Sequence, residues 1–522
     1  MPSISASPSP APLVANPASI ATNIGVQQII AITGATGPLT ATLDNKVASV
    51  AVSGFTIVLG PVRNGTAALH VVDTVTNAAI DIPVRIAPNA GTIAPQILLK
   101  VTGGSVDPAF VASQAQLALN RATLVAPGAT IQVGQIAPPA LPMTTGNSAT
   151  LSVPIKIAGG TQYLDIDGTT QITVQNVGAQ PFTPGLLYYS DDPERTNADG
   201  VLYRGTITDA QPVRLYDYHE NGTDPRRLVI ALTAASTAPS SVQTVGRFAG
   251  PNPDVMTVGH AVTRDFMVNK VRNQGVVFDL TNDAPLLLDD VLMHTRDGVA
   301  SSTDFKVLSG GPVNFTVLAV SPGSSPLTLL DGPQLPGDGR SRHGVFSLAN
   351  YGVQSMTYAA GAVDTTTDIG DREPTVPSVN ADQSGKDFGD YGVLFNFNIA
   401  LSNPTATPQT VYLYESPRGG PARASYLIDS DAMPIELGCA TSARSSTELP
   451  HRYQIRAFTL AAGASETHVV RTMTDGGSNL PIVLGLSIAT PQPTTPPISA
   501  PDGCFPKPDA ALPAPAPTPT PE

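Results

Sequence analysis

At 522 residues the chain is too long for one hydrophobic core, and with 41% hydrophobic residues it has enough apolar surface to fold into several domains. Only 13% of residues are charged, 28 basic against 41 acidic, for a net charge of −13. That balance excludes a phosphate-neutralising surface for nucleic acid, disfavours docking to anionic lipid, and comes with no apolar run long enough for an integral membrane segment. Gly and Pro, at 46 and 51 residues, stand with abundant Val and Thr. This mixture predicts an all-β protein of tandem immunoglobulin-like β-sandwiches, a larger antiparallel β-sandwich region, and Pro-rich disordered termini.

Residues 1–16 form a Pro/Ser/Ala-rich leader without the basic start and apolar stretch of a signal peptide. Residues 17–88 carry QQIIAITG, PLTATLD, VASVAVSG, FTIVLGPVRNGTAALHVVD and AIDIPVRIA. These short β-rich runs have the turn spacing of an immunoglobulin-like sandwich. Asn64-Gly65 is read as a hairpin turn, since both residues tolerate positive φ. The run from Asp44 to Val50 and the later Gly65 to Ala68 segment resemble the bacterial immunoglobulin-like repeat of intimin and invasin type.

Residues 89–177 are read as a second immunoglobulin-like domain. PQILLKVTGG opens it, ATLSVPIKIAG, QYLDIDG and TTQITVQNVG close it as strands, and 107–123 holds one short helix. Asp165-Ile166-Asp167-Gly168 is calcium-loop-like but lacks the remaining oxygen ligands, so a plain β-turn is expected. Two β-sandwich domains follow, 178–341 and 342–490, divided in the Gly/Pro-rich DGPQLPGDGRSRHG. In them PVRLYDYHENG and RRLVIALT read as strands around Asn221-Gly222. Two further strand pairs turn at Ser402 to Thr407 and at Ala462-Gly463, and pairs of this sort make an antiparallel sandwich. A Pro/Thr-rich tail, 491–522, reads as a polyproline-type spacer.

The densest polar cluster is YYSDDPERTNADGVLYRG, 188–205. Asp191, Asp192, Glu194 and Asp199 are candidates for calcium ligation or for the paired carboxylates of glycoside hydrolysis, against the plainer reading of an acidic loop. His219, with Glu220, and His260 are expected near one another. They are candidates for a metal site or, more simply, strand histidines in structural hydrogen bonds. Cys439 and Cys504 form either a disulfide tying down the C-terminal segment or two separate thiols. Their spacing fits no zinc site, and no cofactor is expected. No GxSxG elbow, Walker A loop, HExxH pair or helix-opening GxGxxG occurs.

The ordered blocks YYSDDPERTNADGVLYRG, VRLYDYHENGTDPRRLVIALT, GPNPDVMTVGHAVTRDF, DYGVLFNFNIALSNPTATPQTVYL and FTLAAGASETHVVRTMTDGGSNLPIVL resemble an uncharacterised family of bacterial envelope proteins. Such proteins are found in cyanobacteria and among stalk-type Gram-positive surface proteins. The resemblance implies export and a cell-envelope or extracellular location, and no catalytic residue. Tyr203, Arg214, His219, Gly250, Pro251, Gly259 and His260 fall inside the shared blocks, as fold-maintaining or binding residues. The expected protein is non-enzymatic: stalk-like modules present a β-sandwich whose loops bind cell-wall polysaccharide, another glycan or an envelope protein. Tyr188, Tyr189 and Tyr216 are candidates for sugar stacking or ordinary packing. The alternatives are a carbohydrate-active hydrolase using the acidic loop, and a passive component of an envelope layer.

Overall fold

The computed structural model describes residues 11–339, 343–349, 351–370, 387–441 and 450–491, in two compact units. The architecture is all-β, built of sandwiches, with two α-helices among the described residues. Neither is long and apolar enough to cross a membrane. The tail from 492, with Cys504, lies outside the described residues.

In the first unit, two four-stranded sheets face each other. One runs Val14–Asn16, Gln28–Thr33, Thr56–Pro61, Ala48–Ser53; the other runs Ile20–Thr22, Ala79–Ile86, Gly65–Asp73, Leu39–Leu43. Period-two alternation puts Ile30, Ile32, Ile57, Leu59, Leu69, Val71, Ile82 and Val84 into one apolar core. Two expectations need correction here. The leader ends sooner than residue 16, because Leu13 and Ala15 are buried in that core. Asn64-Gly65 is not a hairpin turn. Thr56–Pro61 already has a neighbour on each edge, so the chain crosses at Asn64-Gly65 to the opposite sheet.

Asp73 ties the loops at one end of this sandwich. It accepts the backbone N–H groups of Thr36 (2.7 Å), Gly37 (3.2 Å), Val75 (2.8 Å) and Thr76 (3.3 Å). The Thr36 amide above all, with the other amides, overcomes burial and holds the Asp73 carboxyl well below the usual carboxylate range.

Further along the unit, helix α1 (Pro108–Ala122) starts at Asp107, whose side chain accepts from the Ala109 amide, and buries Val111, Ala115 and Leu119 along one stripe. Ser148–Ala158 and Ile166–Asn176 pair antiparallel. QYLDIDG is not a separate strand, and no β-turn forms at the calcium-like string. Ile166 to Gly168 already lie in the long strand, while Asp165 accepts the Gly159 amide at 2.8 Å.

The second unit contains two sandwiches and helix α2 (Val255–Arg272). In the first sandwich, the strands Gly275–Leu280, Ser240–Asn252, Gly298–Ser309, Val213–Asn221, Leu186–Ser190 and His343–Ser347 lie side by side. They face a sheet of Gly200–Ile207, Val313–Val320, Arg226–Ala234 and Leu286–Met293. In the second, Val353–Ala359, Leu394–Ser402, Ser465–Met473, Ala422–Ile428 and Ile435–Ala440 face Thr365–Ile369, Ile482–Ser487, Gln409–Pro417 and Tyr453–Leu460. Helix α2 packs on Ser240–Asn252 and Gly298–Ser309 from one side and on Ala422–Ile428 from the other. A continuous apolar cluster therefore runs from Tyr216 through Val258, Val262 and Phe266 into Phe395, Phe397 and Leu484.

The expected turns exist, but the strands they join are not paired with each other. Val213–Asn221 and Arg226–Ala234, Leu394–Ser402 and Gln409–Pro417, and Tyr453–Leu460 and Ser465–Met473 each divide between opposite sheets. Asn403 fixes two of these arches together. Its Nδ2 donates to the carbonyls of Thr407 (2.8 Å), Leu460 (3.1 Å) and Ala461 (3.0 Å), and its Oδ1 accepts the Thr405 amide at 3.1 Å.

His260 lies on α2 and not on a strand. Asp254 caps the helix, accepting the Thr257 amide at 3.2 Å, and Asn273 ends it in the left-handed conformation (φ 51°), with Lys270 and Arg272 in the last turn.

Candidate functional site

The carboxylates of the acidic segment take different partners. Asp191 is buried and receives a hydrogen bond from the Tyr189 hydroxyl at 3.4 Å. Asp192 accepts the Asp338 amide at 2.6 Å, and Asp338 in turn accepts the Glu194 amide at 3.3 Å. Burial is the main reason that Asp192 sits above the usual carboxylate range. Asp199 pairs with Arg226 at 2.5 Å and accepts from Ser321 at 2.8 Å. Asp192, Asp199 and Asp338 clamp loops to strands, while Asp191 and Glu194, with Glu220, lie near enough to Tyr218 to help raise its hydroxyl behind the main effect of burial.

Val213–Asn221 is the chemical spine of the unit, and both its faces are buried. Arg214, Tyr216 and Tyr218 point toward α2 and the second sandwich, while Leu215, Asp217 and His219 point into the first. Arg214 grips Asp304 with two hydrogen bonds, Nε to Oδ1 at 2.7 Å and Nη2 to Oδ2 at 3.2 Å, and donates to the Gly392 carbonyl at 2.7 Å. Its guanidinium lies 4.6 Å above the Phe266 ring. Lys270 of α2 completes the set, with Nζ 2.6 Å from Asp304 Oδ2. Burial pushes the Asp304 carboxyl up, but the two cations reverse this and hold it below its ordinary value. Burial, with the Arg214 charge beside it, holds the Lys270 ammonium low.

His219 has the neighbours of a hydrolase without the geometry. Its Nε2 lies 2.9 Å from Ser190 Oγ and 3.3 Å from Asp217 Oδ1, and its Nδ1 lies 2.9 Å from the Pro193 carbonyl. A nucleophilic triad needs serine on one ring nitrogen and carboxylate on the other. Here serine and carboxylate crowd the same nitrogen, a carbonyl holds the other, and all three side chains are buried.

His260 bridges Asp475 and Glu436 and shares no partner with His219, so the expected histidine pair does not form. Among the described residues no group of three or more His, Cys, Asp or Glu is arranged to hold a metal. Tyr203 is buried, donates to the Gly344 carbonyl at 2.9 Å and packs edge-on against His343. Tyr189 and Tyr216 are not available to stack on a sugar: both are buried, and their rings pack edge to face at 5.1 Å. Tyr188 rests against Tyr203 and Phe315. Gly250 and Pro251 end the Ser240–Asn252 strand, and Gly259 lies against the backbone of Gly476. Cys439 sits on Ile435–Ala440, and its candidate partner Cys504 is outside the described residues. Asp304, Lys270, Glu415, Glu436 and Asp475 were not among the expected residues; the apolar spacing of Val258, Val262 and Phe266 behind Asp254, with Lys270, Arg272 and Asn273 at the far end, was the local signal for α2.

No family model matches the chain, and no curated protein matches it. Among solved structures, an endo-fucoidan hydrolase of glycoside hydrolase family 107 aligns at 10% identity and a TM-score of 0.14, covering 51% of this chain and 38% of that one. Lac15 from a marine microbial metagenome aligns at 9% identity and a TM-score of 0.11, covering 89% and 92%. SGBP-B of a Bacteroides ovatus mixed-linkage glucan utilization locus, solved in complex with a mixed-linkage heptasaccharide, aligns at 10% identity and a TM-score of 0.11, covering 57% and 71%. The chain spans about 38% of the length of the fucoidan hydrolase. Likenesses this slight say nothing of what the chain binds or does.

Proposed function

We propose that this chain is a non-enzymatic bacterial surface or secreted protein that acts by contact, its β-sandwiches presenting loops to cell-wall polysaccharide. The observation that supports this reading is where the ionisable groups lie. Arg214, His219, His260 and Asp304 are buried and engaged with other parts of the chain. Groups placed this way stiffen a scaffold and do not meet a substrate. The low share of charged residues and the Pro/Thr-rich tail composition suit a protein of the cell envelope.

The test is co-sedimentation of the full chain with purified cell walls and insoluble polysaccharides, with the supernatant assayed for released sugar. Pelleting without release is the expected result. Sugar release that disappears in a folded Asp192→Asn or Glu194→Gln variant would replace this reading with a hydrolase. Neither pelleting nor release would leave a passive envelope-layer component as the better account.

A further inference from the structure

Both ring nitrogens of His260 face carboxylates. Nδ1 is 2.6 Å from Asp475 Oδ2, and Nε2 is 2.9 Å from Glu436 Oε2. A neutral imidazole carries one N–H, so one of these contacts would set lone pair against lone pair. The imidazolium satisfies both. The packed structure therefore holds a proton on a residue that is only 4% exposed.

The acids come from the second sandwich. Glu436 belongs to its edge strand Ile435–Ala440, and Asp475 to the turn after Ser465–Met473. The next residue of that turn, Gly476, lies against the backbone of Gly259 on α2. Inside the sandwich, near enough to Asp475 to feel its charge, Glu415 accepts a hydrogen bond from the Tyr426 hydroxyl at 2.6 Å. The remaining oxygens, Glu415 Oε1 and Asp475 Oδ1, are buried without a donor among the described residues. We propose that this set is a proton-operated latch: charged His260 pins α2 to the second sandwich, and loss of protons from His260 and Glu415 releases it.

Other charges around the helix are committed to partners. Arg264 pairs with Asp265 and lies 3.7 Å from Glu436, and Arg247 pairs with Asp265 at 3.1 Å. From Ala422–Ile428, Arg423 reaches Asp254 at 3.6 Å and donates to Thr257 Oγ1 at 2.6 Å. Lys270 and Arg214 share Asp304. Asp191, Asp387 and Tyr391 act on Tyr216 together with Asp475. Burial raises the hydroxyls of Tyr216, Tyr218 and Tyr426, so these stay neutral through the relevant range.

The two titrations act in the same direction. Burial opposes the charge on His260, but Asp475 and Glu436 outweigh it and push its pKa from 6.5 up to about 9. The folded state keeps a proton that the unfolded chain gives up near pH 6.5, so this stabilisation is complete below that value and lost as pH rises through about 9. Burial, only partly offset by the Tyr426 hydroxyl, pushes Glu415 from 4.5 up to about 7. Again the folded state holds the extra proton, so stability falls as pH climbs from 4.5 through about 7. Glu436 works the other way. The His260 hydrogen bond holds it low, and its contribution is lost only as pH falls below the ordinary carboxylate range.

Amide hydrogen exchange of the intact chain tests this, corrected for the intrinsic pH dependence of exchange. Between pH ~5.5 and ~9.5, opening of 255–272 and 435–440 should rise about 100-fold or more. Glu415→Gln keeps an acceptor for Tyr426 and should abolish most of the rise below pH ~6.5, while sparing the rise that His260 produces between about 6.5 and 9. His260→Gln should open the helix at low pH and flatten the upper part of the profile. Nitrogen-15 resonances of His260 in the unmodified chain decide the matter even if that variant does not fold. A titration midpoint near 9 supports the latch, and one near 6.5 overturns it. Protection of α2 that does not vary with pH, or a Glu415→Gln profile identical to the parent's, would also overturn it.

Discussion

Arg214→Met is expected to cost about 3–5 kcal/mol of unfolding free energy, a large share of what an ordinary domain possesses. Methionine matches the length of the arginine stem but supplies no charge and no donors. Asp304, 0% exposed, would keep Lys270 as its only cation, and the Gly392 carbonyl would lose its 2.7 Å donor. The loss comes less from the attraction removed than from the carboxylate left under-compensated in a low-dielectric interior. Arg214→Lys separates the two contributions. It keeps a positive charge but cannot form the paired contact with Asp304 and the bond to Gly392 together. An intermediate loss of about 2 kcal/mol is expected for it. Urea unfolding at constant m-value gives both numbers. A methionine variant within about 1 kcal/mol of the parent would show that the burial argument is wrong.

Gly259→Ala is expected to destabilise by about 3 kcal/mol, against the roughly 1 kcal/mol gain that helix propensity alone assigns to alanine over glycine. A Cβ at this position would stand 2.1 Å from the Gly476 carbonyl oxygen and 2.4 Å from its nitrogen. Both are backbone atoms, and neither can swing aside as a side-chain tip does. Accommodating the methyl means lifting α2 from the Asp475–Gly477 turn. That movement also draws His260 from Asp475, so the imidazole should titrate closer to its ordinary value. Thermal unfolding and the His260 titration should therefore shift together. A stabilised variant with unchanged titration would mean that the helix and turn do not meet as closely as described.

Much of the β-structure was legible because alternation of apolar and polar residues is a local signal. In the first unit it placed the longer strands, including Ala48–Ser53 and Gly65–Asp73, and passed over short ones such as Val14–Asn16, Ile20–Thr22 and Thr130–Val133. Pairing was less legible. A short polar connection serves equally for a hairpin and for an arch between facing sheets, and only the neighbours on both edges of Gln409–Pro417 or Thr56–Pro61 decide which forms. Helix α2 was obscured by its own composition, since Val, Thr and a central Gly lower helix propensity while packing on both sides supplies the stability.

The surroundings of the candidate residues were not legible. Arg214 and His260 are buried, and their charged partners are remote in sequence. Asp304 lies 90 residues from Arg214, and Asp475 and Glu436 lie 215 and 176 residues from His260. No local pattern announces contacts at that range. Tyr216 and Tyr218 alternate with Leu215 and Asp217 as outward residues of a half-exposed strand do, yet the second sandwich and α2 cover that face as well.

The two-faced burial of Val213–Asn221 has a consequence for how this region can be taken apart, in the laboratory or by recombination. One face is cut to fit the first sandwich and the other to fit α2 and the second sandwich, so neither sandwich is an interchangeable bead. A crossover or truncation near residue 350 would take the Gly392 carbonyl from Arg214 and uncover Tyr216 and Tyr218 on the side that meets the second sandwich. The surviving half would be sticky and a poor surrogate for the whole. Residues 178–490 are best treated as a single heritable part.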